Sequence, residues 1–218
     1  MSAQVTFEFG ALAEATLRGV ADAAGERIIE RIWAGDDTVF GPAGQPEVAD
    51  RLGWLHAPQR TGALLPQLDA LAASSAARGD RVVLVLGMGG SSLAPEVLAA
   101  AFRGAGDGSS PELRVLDSTV PSAVLHTLHG LDPQTTLVIA ASKSGGTIET
   151  RSQLELFWEQ FDRRADSFAV ITDPGSALEA LARERGFRAV VLADPEVGGR
   201  YSALTAFGMT PATVAGFP

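Results

Sequence analysis

Residues 81–92 read RVVLVLGMGGSS, a run of apolar and β-branched residues that ends in a loop rich in glycine and serine. The run is apolar throughout and does not alternate with polar residues, which is typical of a strand buried on both faces of a parallel sheet. The glycines permit positive φ and close backbone approach, and the spacing that follows predicts a helix over 93–102. Ser91 or Ser92 is the expected cap of that helix. The stretch therefore predicts a strand, a loop able to approach a ligand, and a helix.

Four further runs of the same kind follow along the chain, and segments with helical spacing separate them. The predicted strands are 81–87, 112–118, 136–142, 167–173 and 188–194, and the predicted helices between them are 93–102, 121–128, 148–161 and 176–185. Right-handed crossovers place such helices on both faces of one sheet. The predicted fold class is α/β: a five-stranded parallel sheet in a three-layer α/β/α sandwich, with ligands bound at the carboxyl ends of the strands.

The N-terminal third has a different texture and predicts a helical arm followed by an irregular connection. Apolar residues fall at helical spacing from 11 to 33 and are interrupted at Gly19 and Gly25, which predicts two short helices. The next segment is rich in glycine, proline and aspartate and leads into a helix predicted over 64–77. The expected division is residues 1–78 for the arm and connection and residues 79–218 for the sheet domain.

Composition excludes several classes of protein. The chain has 218 residues and a net charge of −9, with acidic and basic residues interspersed, which argues against a surface that neutralises nucleic-acid phosphates. It contains no cysteine, and its first residues lack the basic and apolar regions of a signal peptide. We expect a cytoplasmic protein that binds neither nucleic acid nor membrane.

A second loop, SKSGGTIET at 142–150, follows the third predicted strand and precedes a helix. It offers the donors that a phosphate dianion needs: the hydroxyls of Ser142, Ser144 and Thr147, the ammonium of Lys143, and the amides of a helix N-terminus. Charge-assisted hydrogen bonds of this kind contribute about 1.5–3 kcal/mol each. The loop therefore predicts an anion site.

Neither loop matches a nucleotide-binding signature. The first has Ser92 where a dinucleotide-binding fold would have its third glycine, and Asp117 is a weak candidate for the ribose carboxylate. In the second, Lys143 precedes the glycines, whereas the lysine of a P-loop follows them. NAD and ATP are therefore disfavoured as ligands of these loops. The structural alternative, two ordinary strand-to-helix turns with capping serines, is weakened because both loops follow strands of one sheet.

Three motifs occur in a fixed order: GMGGSSLAP at 87–95, SKSGGTIET at 142–150 and GGRYSALTAFG at 198–208. In this order and spacing they resemble the glucose-6-phosphate isomerase family, particularly its bacterial members and the isomerase halves of transaldolase–isomerase fusions. The resemblance covers nearly the whole chain and implies a sugar isomerase domain, known as a SIS domain. It implies interconversion of glucose 6-phosphate and fructose 6-phosphate in glycolysis and gluconeogenesis, without metal or organic cofactor.

The resemblance also implies roles for particular residues. Arg200 in GGRYS matches the family arginine near the C1 and C2 oxygens of the sugar, where a fixed guanidinium would stabilise an enediolate. Arg200 is therefore the catalytic candidate. The loop at 142–150 matches the segment that grips the substrate phosphate, and the first loop matches one that approaches the substrate. The expected substrate contacts are Gly89, Gly90, Ser91, Ser142, Lys143, Ser144 and Thr147.

In the family, the general-base glutamate, the ring-opening histidine and a late lysine lie downstream of GGRYS, in a second sugar isomerase domain and the C-terminal helices, whereas this sequence stops at Pro218. We therefore expect the chain to supply the phosphate-binding half of such an enzyme, and not to isomerise efficiently alone. A homodimer or a complementary C-terminal half is the expected partner. The alternative is a stand-alone phosphosugar-binding module with a regulatory role.

Other titratable side chains carry weaker signals. Glu149 is the carboxylate nearest to the second loop, and we expect it to favour the helix N-terminus and not to act as the base. His126 and His129 lie three apart on a predicted helix, a spacing that could bind metal, but no third ligand is evident and we predict no metal site. Phe157 and Trp158 are expected on the buried face of the helix that follows the second loop.

Overall fold

The computed structural model describes residues 10–102 and 110–217. Residues 1–9 of the predicted arm, and residues 103–109 and 218 of the predicted sheet domain, lie outside the described residues. The chain divides into two compact units, of which the first ends at Leu55 and the second begins at His56. This division lies upstream of the boundary expected near residue 78, because the helix at 65–78 packs in the core of the second unit.

The first unit is built from short helices. A 3-10 turn at Gly10–Leu12 leads into α1 (Ala13–Gly25), which is followed by α2 (Ile28–Trp33). The prediction that Gly19 interrupts the first helix is wrong, since α1 continues through it and ends at Gly25. Neither of these described helices contains a buried residue. A further 3-10 turn lies at Asp37–Val39 in the connection.

The second unit contains a five-stranded sheet in which every neighbouring pair is parallel. Its strands are β1 (Val82–Gly87), β2 (Glu112–Leu116), β3 (Thr136–Ala141), β4 (Phe168–Thr172) and β5 (Ala189–Leu192). The strand order is β2-β1-β3-β4-β5. Val82 of β1 is in register with Glu112 on one side and Thr136 on the other. The predicted parallel sheet is confirmed.

Helices cover both faces of the sheet, which confirms the three-layer sandwich. The helices of this unit are α3 (Ala57–Gly62), α4 (Leu65–Arg78), α5 (Leu93–Ala101), α6 (Pro121–His129), α7 (Ile148–Gln160), α8 (Ala177–Glu184) and α9 (Ala206–Val214). The step from β1 to β2 runs in the direction opposite to the later steps, so right-handed crossovers place α5 on one face and α6, α7 and α8 on the other. The helices α4 and α9 pack on the α5 face. Among the described residues, every helix is too short or too polar to cross a membrane.

The pleat of the strands explains why the runs are apolar throughout. Val83 and Val85 face the core that contains α4 and α9, whereas Leu84 and Leu86 face the core that contains α6, α7 and α8. All four side chains are fully buried. Both sides of the central strands β1, β3 and β4 therefore lose their contact with water, and an alternating pattern is absent there for that reason.

Aromatic side chains fill the core beneath α7. The ring centroids of Phe157 and Phe161 lie 6.0 Å apart, and Trp158 lies 5.3 Å from both Phe168 and Phe187. The predicted buried face of this helix is confirmed, since Phe157 is fully buried and Trp158 is 8% exposed. Such pairs add to the stabilisation that comes from burial alone.

The helix α9 was not predicted from the sequence. It contains Gly208 and Pro211, both of which disfavour a helix interior. Burial outweighs this local preference, since Phe207 and Val214 pack into the core beside α4. Gly208 is required at its position, because a Cβ there would collide with the carbonyl oxygen of Ala203. Packing against α4 and the sheet therefore stabilises α9.

We predict that Phe157→Ala destabilises the second unit by about 3–5 kcal/mol, because it removes a fully buried ring and leaves a cavity. Leu156→Ala on the same helix is the matched control. That side chain is 39% exposed, and its loss is expected to cost less than about 1.5 kcal/mol. Urea unfolding followed by circular dichroism measures both free energies, and equal values for the two variants would contradict the assigned core.

Candidate functional site

The crevice of this sheet lies between β1 and β3. These strands are neighbours, yet the chain leaves β1 toward α5 on one face and leaves β3 toward α7 on the other. A reversal of this kind opens a crevice at the carboxyl ends of the two strands, where open α/β sheets bind their ligands. Gly87 at the end of β1 is in register with Ala141 at the end of β3. The two loops singled out from the sequence, the 88–92 loop and the 142–147 loop, therefore start side by side.

The 142–147 loop presents hydroxyls and amides at the start of α7. Ser142 is 2% exposed, and its Oγ lies 3.0 Å from Oγ1 of Thr147. The amide of Gly146 donates to Oγ of Ser144 at 3.2 Å. Thr147 is the N-cap residue of α7, and its side chain makes no capping bond. The amides of the first helical turn are therefore not satisfied by this hydroxyl, as an anion site requires.

Gly145 fits the loop against the neighbouring β4–α8 connection. Its φ is +68°, and a Cβ there would lie 2.8 Å from Cβ of Ser176. The hydroxyl of Ser176 accepts a hydrogen bond from the amide of Glu179 at 3.1 Å and lies 2.7 Å from Oγ1 of Thr172. A residue other than glycine would be strained in φ and would meet a side chain that is already held in place. This contact gives the loop its shape.

Lys143 does not direct its ammonium to an open anion site. Its Nζ lies 2.8 Å from Oδ2 of Asp173 and donates at 3.2 Å to the carbonyl oxygens of both Asp194 and Pro195. The sequence suggested Lys143 as a phosphate contact, whereas the structure shows a lysine that joins its loop to the ends of β4 and β5. Asp173 could not be identified as its partner from the sequence, because 30 residues separate them.

The 88–92 loop forms a tight turn after β1. Residues Gly89–Ser91 make one 3-10 turn, and Gly89 has a φ of +54°. The expectation that Ser91 or Ser92 caps α5 is wrong, because the N-cap residue Ser92 makes no capping bond. Its hydroxyl donates at 3.0 Å to the carbonyl oxygen of Gly89. This serine stabilises the loop and leaves the N-terminus of α5 uncapped by its side chain.

A third segment packs directly on this loop. It is the Arg200 turn, defined here as residues 198–204, most of which form a 3-10 helix at Gly199–Leu204. A Cβ on Gly90 would lie 2.5 Å from the carbonyl carbon of Gly199, so the two backbones meet where only glycine fits. Ser202 is 2% exposed, and its Oγ lies 3.0 Å from the carbonyl oxygen of Gly90. Ser202 lies in the quoted motif, but its contact with Gly90 could not be read from the sequence.

Arg200 itself is exposed, and within the described part of the chain its guanidinium forms no ion pair. Its turn brings it to the end of the sheet at which the 88–92 loop lies. A free guanidinium beside a loop rich in amides makes this end of the sheet suited to an anion. The structure therefore brings the 88–92 loop together with the Arg200 turn, and β1–β3 pairing brings the 142–147 loop beside them.

The remaining titratable candidates are the two histidines of α6 and Glu149. His126 and His129 are on α6, at its C-terminal end. Across residues 10–102 and 110–217, no group of three or more His, Cys, Asp or Glu side chains could hold a metal ion. Glu149 lies in the first turn of α7, where a negative charge favours the helix N-terminus.

The fold is that of a doubly wound α/β protein, and its two loops rich in glycine and serine lie at the topological switch point of the sheet. The family model for phosphoglucose isomerase matches residues 73–218. The chain belongs to the phosphoglucose isomerase family. The resemblance stated from the three motifs is thereby confirmed.

Individual relatives agree with this assignment. A glucose-6-phosphate isomerase from Thermus thermophilus is 36% identical over 176 residues, which cover 78% of this chain and 40% of the relative. The chain thus spans less than half the length of this relative. Among solved structures, hypothetical protein TT0462 from Thermus thermophilus superposes with a TM-score of 0.69 and 31% identity, covering 89% of this chain and 46% of that one. A glucose-6-phosphate isomerase from Chlamydia trachomatis shares the fold, with a TM-score of 0.57, 23% identity, and coverage of 84% and 34%.

We predict that Gly90→Ala destabilises the second unit by about 1–3 kcal/mol, because its Cβ would push the 88–92 loop away from the backbone of Gly199. Gly198→Ala is the control within the Arg200 turn. Its φ is −64° and a Cβ there meets no atom within 4 Å, so a change of at most about 0.5 kcal/mol is expected. Thermal unfolding of both variants provides the comparison, and an unperturbed Gly90→Ala variant would refute the close approach.

A further prediction concerns how the contribution of Glu179 to stability depends on pH. The pKa of Glu179 is lowered from its ordinary value of 4.5, first because the Gly175 amide donates to its carboxylate and then because Arg183 does so. A lowered carboxyl pKa contributes stability above pH 4.5, and this contribution is lost as the pH falls through the pKa of the folded state. Urea unfolding of the parent and of Glu179→Gln should therefore give a difference that is largest near neutral pH and shrinks below pH 4.5. A difference that stays constant with pH would exclude this role.

Proposed function

We propose that this chain supplies the phosphate-binding half of a glucose-6-phosphate isomerase, which interconverts glucose 6-phosphate and fructose 6-phosphate. One observation carries the proposal. The 142–147 loop begins beside the 88–92 loop at the switch point of the sheet, and the Arg200 turn packs on the 88–92 loop through Gly90 and Gly199. Membership of the phosphoglucose isomerase family supports the same reaction class.

In this proposal the substrate phosphate binds at the start of α7. Its oxygens accept hydrogen bonds from the hydroxyls of Ser142, Ser144 and Thr147 and from the amides of the first helical turn. The 88–92 loop, through Gly89, Gly90 and Ser91, lies against the sugar. This arrangement holds the phosphate at one end of the crevice and directs the sugar carbons toward the Arg200 turn.

Arg200 would act on the sugar itself. Isomerisation moves a proton between C2 and C1 through an enediolate, and a guanidinium beside the enediolate stabilises the charge that develops on its oxygens. Arg200 suits this role because, among the described residues, no carboxylate competes for its guanidinium. We propose that no metal or organic cofactor takes part, and that the protein works in the cytoplasm in glycolysis and gluconeogenesis.

The proton transfer needs a carboxylate that is free to accept a proton. Two carboxylates near the strand ends are engaged otherwise, since Asp173 pairs with Lys143, and Asp194 pairs with Arg60 at 2.7 Å. Both carboxylates are therefore already bound to cations of the protein. We therefore propose that the base comes from a complementary C-terminal half or from a homodimer partner. The same observation favours the second candidate, a phosphosugar-binding regulatory module without catalysis.

Calorimetric titration with fructose 6-phosphate tests the proposed site. We expect saturable binding by the parent, and we expect Ser142→Ala and Thr147→Ala each to weaken it by about tenfold or more, because each loses a hydrogen bond to a charged group. Ser122→Ala, at an exposed position on α6, is the matched control and should bind as the parent does. Parental affinity in both loop variants would exclude the 142–147 loop as the phosphate site.

A coupled assay at high protein concentration separates the two candidate functions. Turnover that Arg200→Ala abolishes supports the isomerase, whereas saturable binding without turnover supports the regulatory module or a missing complementary half. Addition of NAD or ATP serves as the control for nucleotide binding. Neither is expected to raise the melting temperature, whereas fructose 6-phosphate should raise it.

A further inference from the structure

Two cations lie at the 142–147 loop, and they differ in how their charges are compensated. An ammonium has three N–H donors. The three donors of Lys143 meet the carboxylate of Asp173 and the carbonyl oxygens of Asp194 and Pro195. Lys143 is therefore saturated by protein groups, and its charge is balanced by Asp173. To bind a phosphate it would have to give up this ion pair.

Arg151 is the other cation, and it follows the loop by one helical turn. Its amide donates to the carbonyl oxygen of Thr147 at 3.0 Å, as a residue of α7 should. Side chains on a helix lean toward its N-terminus, and Nη1 of Arg151 accordingly reaches back to the carbonyl oxygen of Gly145 at 3.5 Å. This distance is at the long limit of a hydrogen bond. The guanidinium thus lies against the loop while being weakly held by it.

The charge of Arg151 has no counterpart in the described part of the protein. Its Nε is buried and makes no hydrogen bond, and no carboxylate of residues 10–102 and 110–217 pairs with its guanidinium. Glu155 is the helical neighbour at i+4 that would ordinarily pair with it. Glu155 instead binds Arg185 at 2.8 Å, and that guanidinium also lies 5.0 Å from the ring centroid of Trp158.

This lack of a partner is unusual among the basic residues of the second unit. Apart from Arg151, the described lysine and arginine side chains from His56 onward that form no ion pair are Arg81 and Arg200. Arg81 precedes β1 at the opposite end of the sheet. Within residues 10–102 and 110–217, the unpaired lysine and arginine side chains at the carboxyl end are therefore those of Arg151 and Arg200. A partly buried charge without a partner is costly, and an anionic ligand would remove that cost.

We propose that Arg151, and not Lys143, is the residue that balances the charge of the bound phosphate. A phosphate oxygen replaces the carbonyl oxygen of Gly145 as the acceptor for Nη1, and the buried Nε gains its missing partner. The inference rests on the proposed function, because it assigns a binding residue for the same sugar phosphate. It predicts a preference for dianionic ligands over the corresponding unphosphorylated sugars.

Phosphorus NMR tests this assignment through the second pKa of the bound phosphate, which is about 6 for a free phosphate ester. A cation beside the dianion lowers this pKa, so the value should be lower when fructose 6-phosphate is bound to the parent. Arg151→Gln should raise it toward the free value and weaken binding by about tenfold to a hundredfold, as expected for one hydrogen bond to a charged group. Arg163→Gln is the matched control, since that exposed side chain pairs with Glu159 at the end of α7.

Two further variants separate a charge effect from loss of structure. Arg151→Lys keeps the charge with a single nitrogen and should recover part of the affinity and of the pKa shift. The double variant Lys143→Met with Asp173→Asn removes the whole ion pair, so that no isolated charge remains, and it should retain the pKa shift of the bound phosphate. A shift that disappears in this double variant and persists in Arg151→Gln would overturn the assignment.

The remaining outcomes are also decisive. If the parent binds fructose 6-phosphate and Arg151→Gln binds it with the same affinity and the same phosphorus pKa, the assignment of Arg151 fails while the proposed function stands. If the parent and all variants fail to bind fructose 6-phosphate, the proposed function and the assignment of Arg151 both fail. If Arg151→Gln fails to fold, Arg151→Lys replaces it as the test. Parental affinity and a parental phosphorus pKa shift in Arg151→Lys, together with loss of that shift in the double variant, would assign the charge to Lys143 and overturn the proposal.

Discussion

The parallel pairing of β1 with β3 is the constraint on which the rest of this structure depends. The pairing extends from Val82 to Gly87, and the chain then leaves the two strands toward opposite faces of the sheet. This reversal follows from the right-handed crossover, since β2 lies on one side of β1 and all later strands lie on the other. A crevice at the carboxyl ends of β1 and β3 is the necessary result. The two loops that begin there owe their proximity to this pairing, because Gly87 at the end of β1 is in register with Ala141 at the end of β3.

The loops at the carboxyl ends of β1 and β3 are shaped by close contacts that admit only glycine at two positions. Gly90 admits the backbone of Gly199, and Gly145 admits the side chain of Ser176. Hydroxyls complete the same contacts, since Ser202 reaches the carbonyl oxygen of Gly90 and Ser176 holds the start of α8. In such closely packed places an unmade hydrogen bond or a collision is costly. The backbones of the loops are therefore held in place by contacts within the protein.

Much of the fold could be predicted because its signals are local. The central strands are apolar on both faces, and each strand of the sheet begins and ends within two residues of its prediction, as β1 at Val82–Gly87 shows. The helix predicted over 148–161 is α7 at Ile148–Gln160, since its apolar spacing is clear.

Prediction failed where tertiary contacts oppose local preference. Gly208 and Pro211 disfavour a helix, and burial stabilises α9 in spite of them. The failure at Gly19 does not have this cause, because α1 continues through the glycine without containing a buried residue. Ser92 has the right residue type for a cap, but its hydroxyl donates to Gly89.

For the candidate site, local sequence signals indicate the loops, whereas the ion pairs around them depend on residues far apart in the chain. The sequence by itself determined the residue types, their order and their places after particular strands, and these were enough to indicate an anion site and a family. It could not determine which cation is free, because the answer depends on partners far away in the chain. Asp173 is 30 residues from Lys143, and Arg185 is 30 residues from the Glu155 that it binds. The first pairing engages Lys143 and the second leaves Arg151 unpaired. Only the tertiary structure decides both, because the strength of an ion pair depends on distance in space and burial, neither of which a sequence position records.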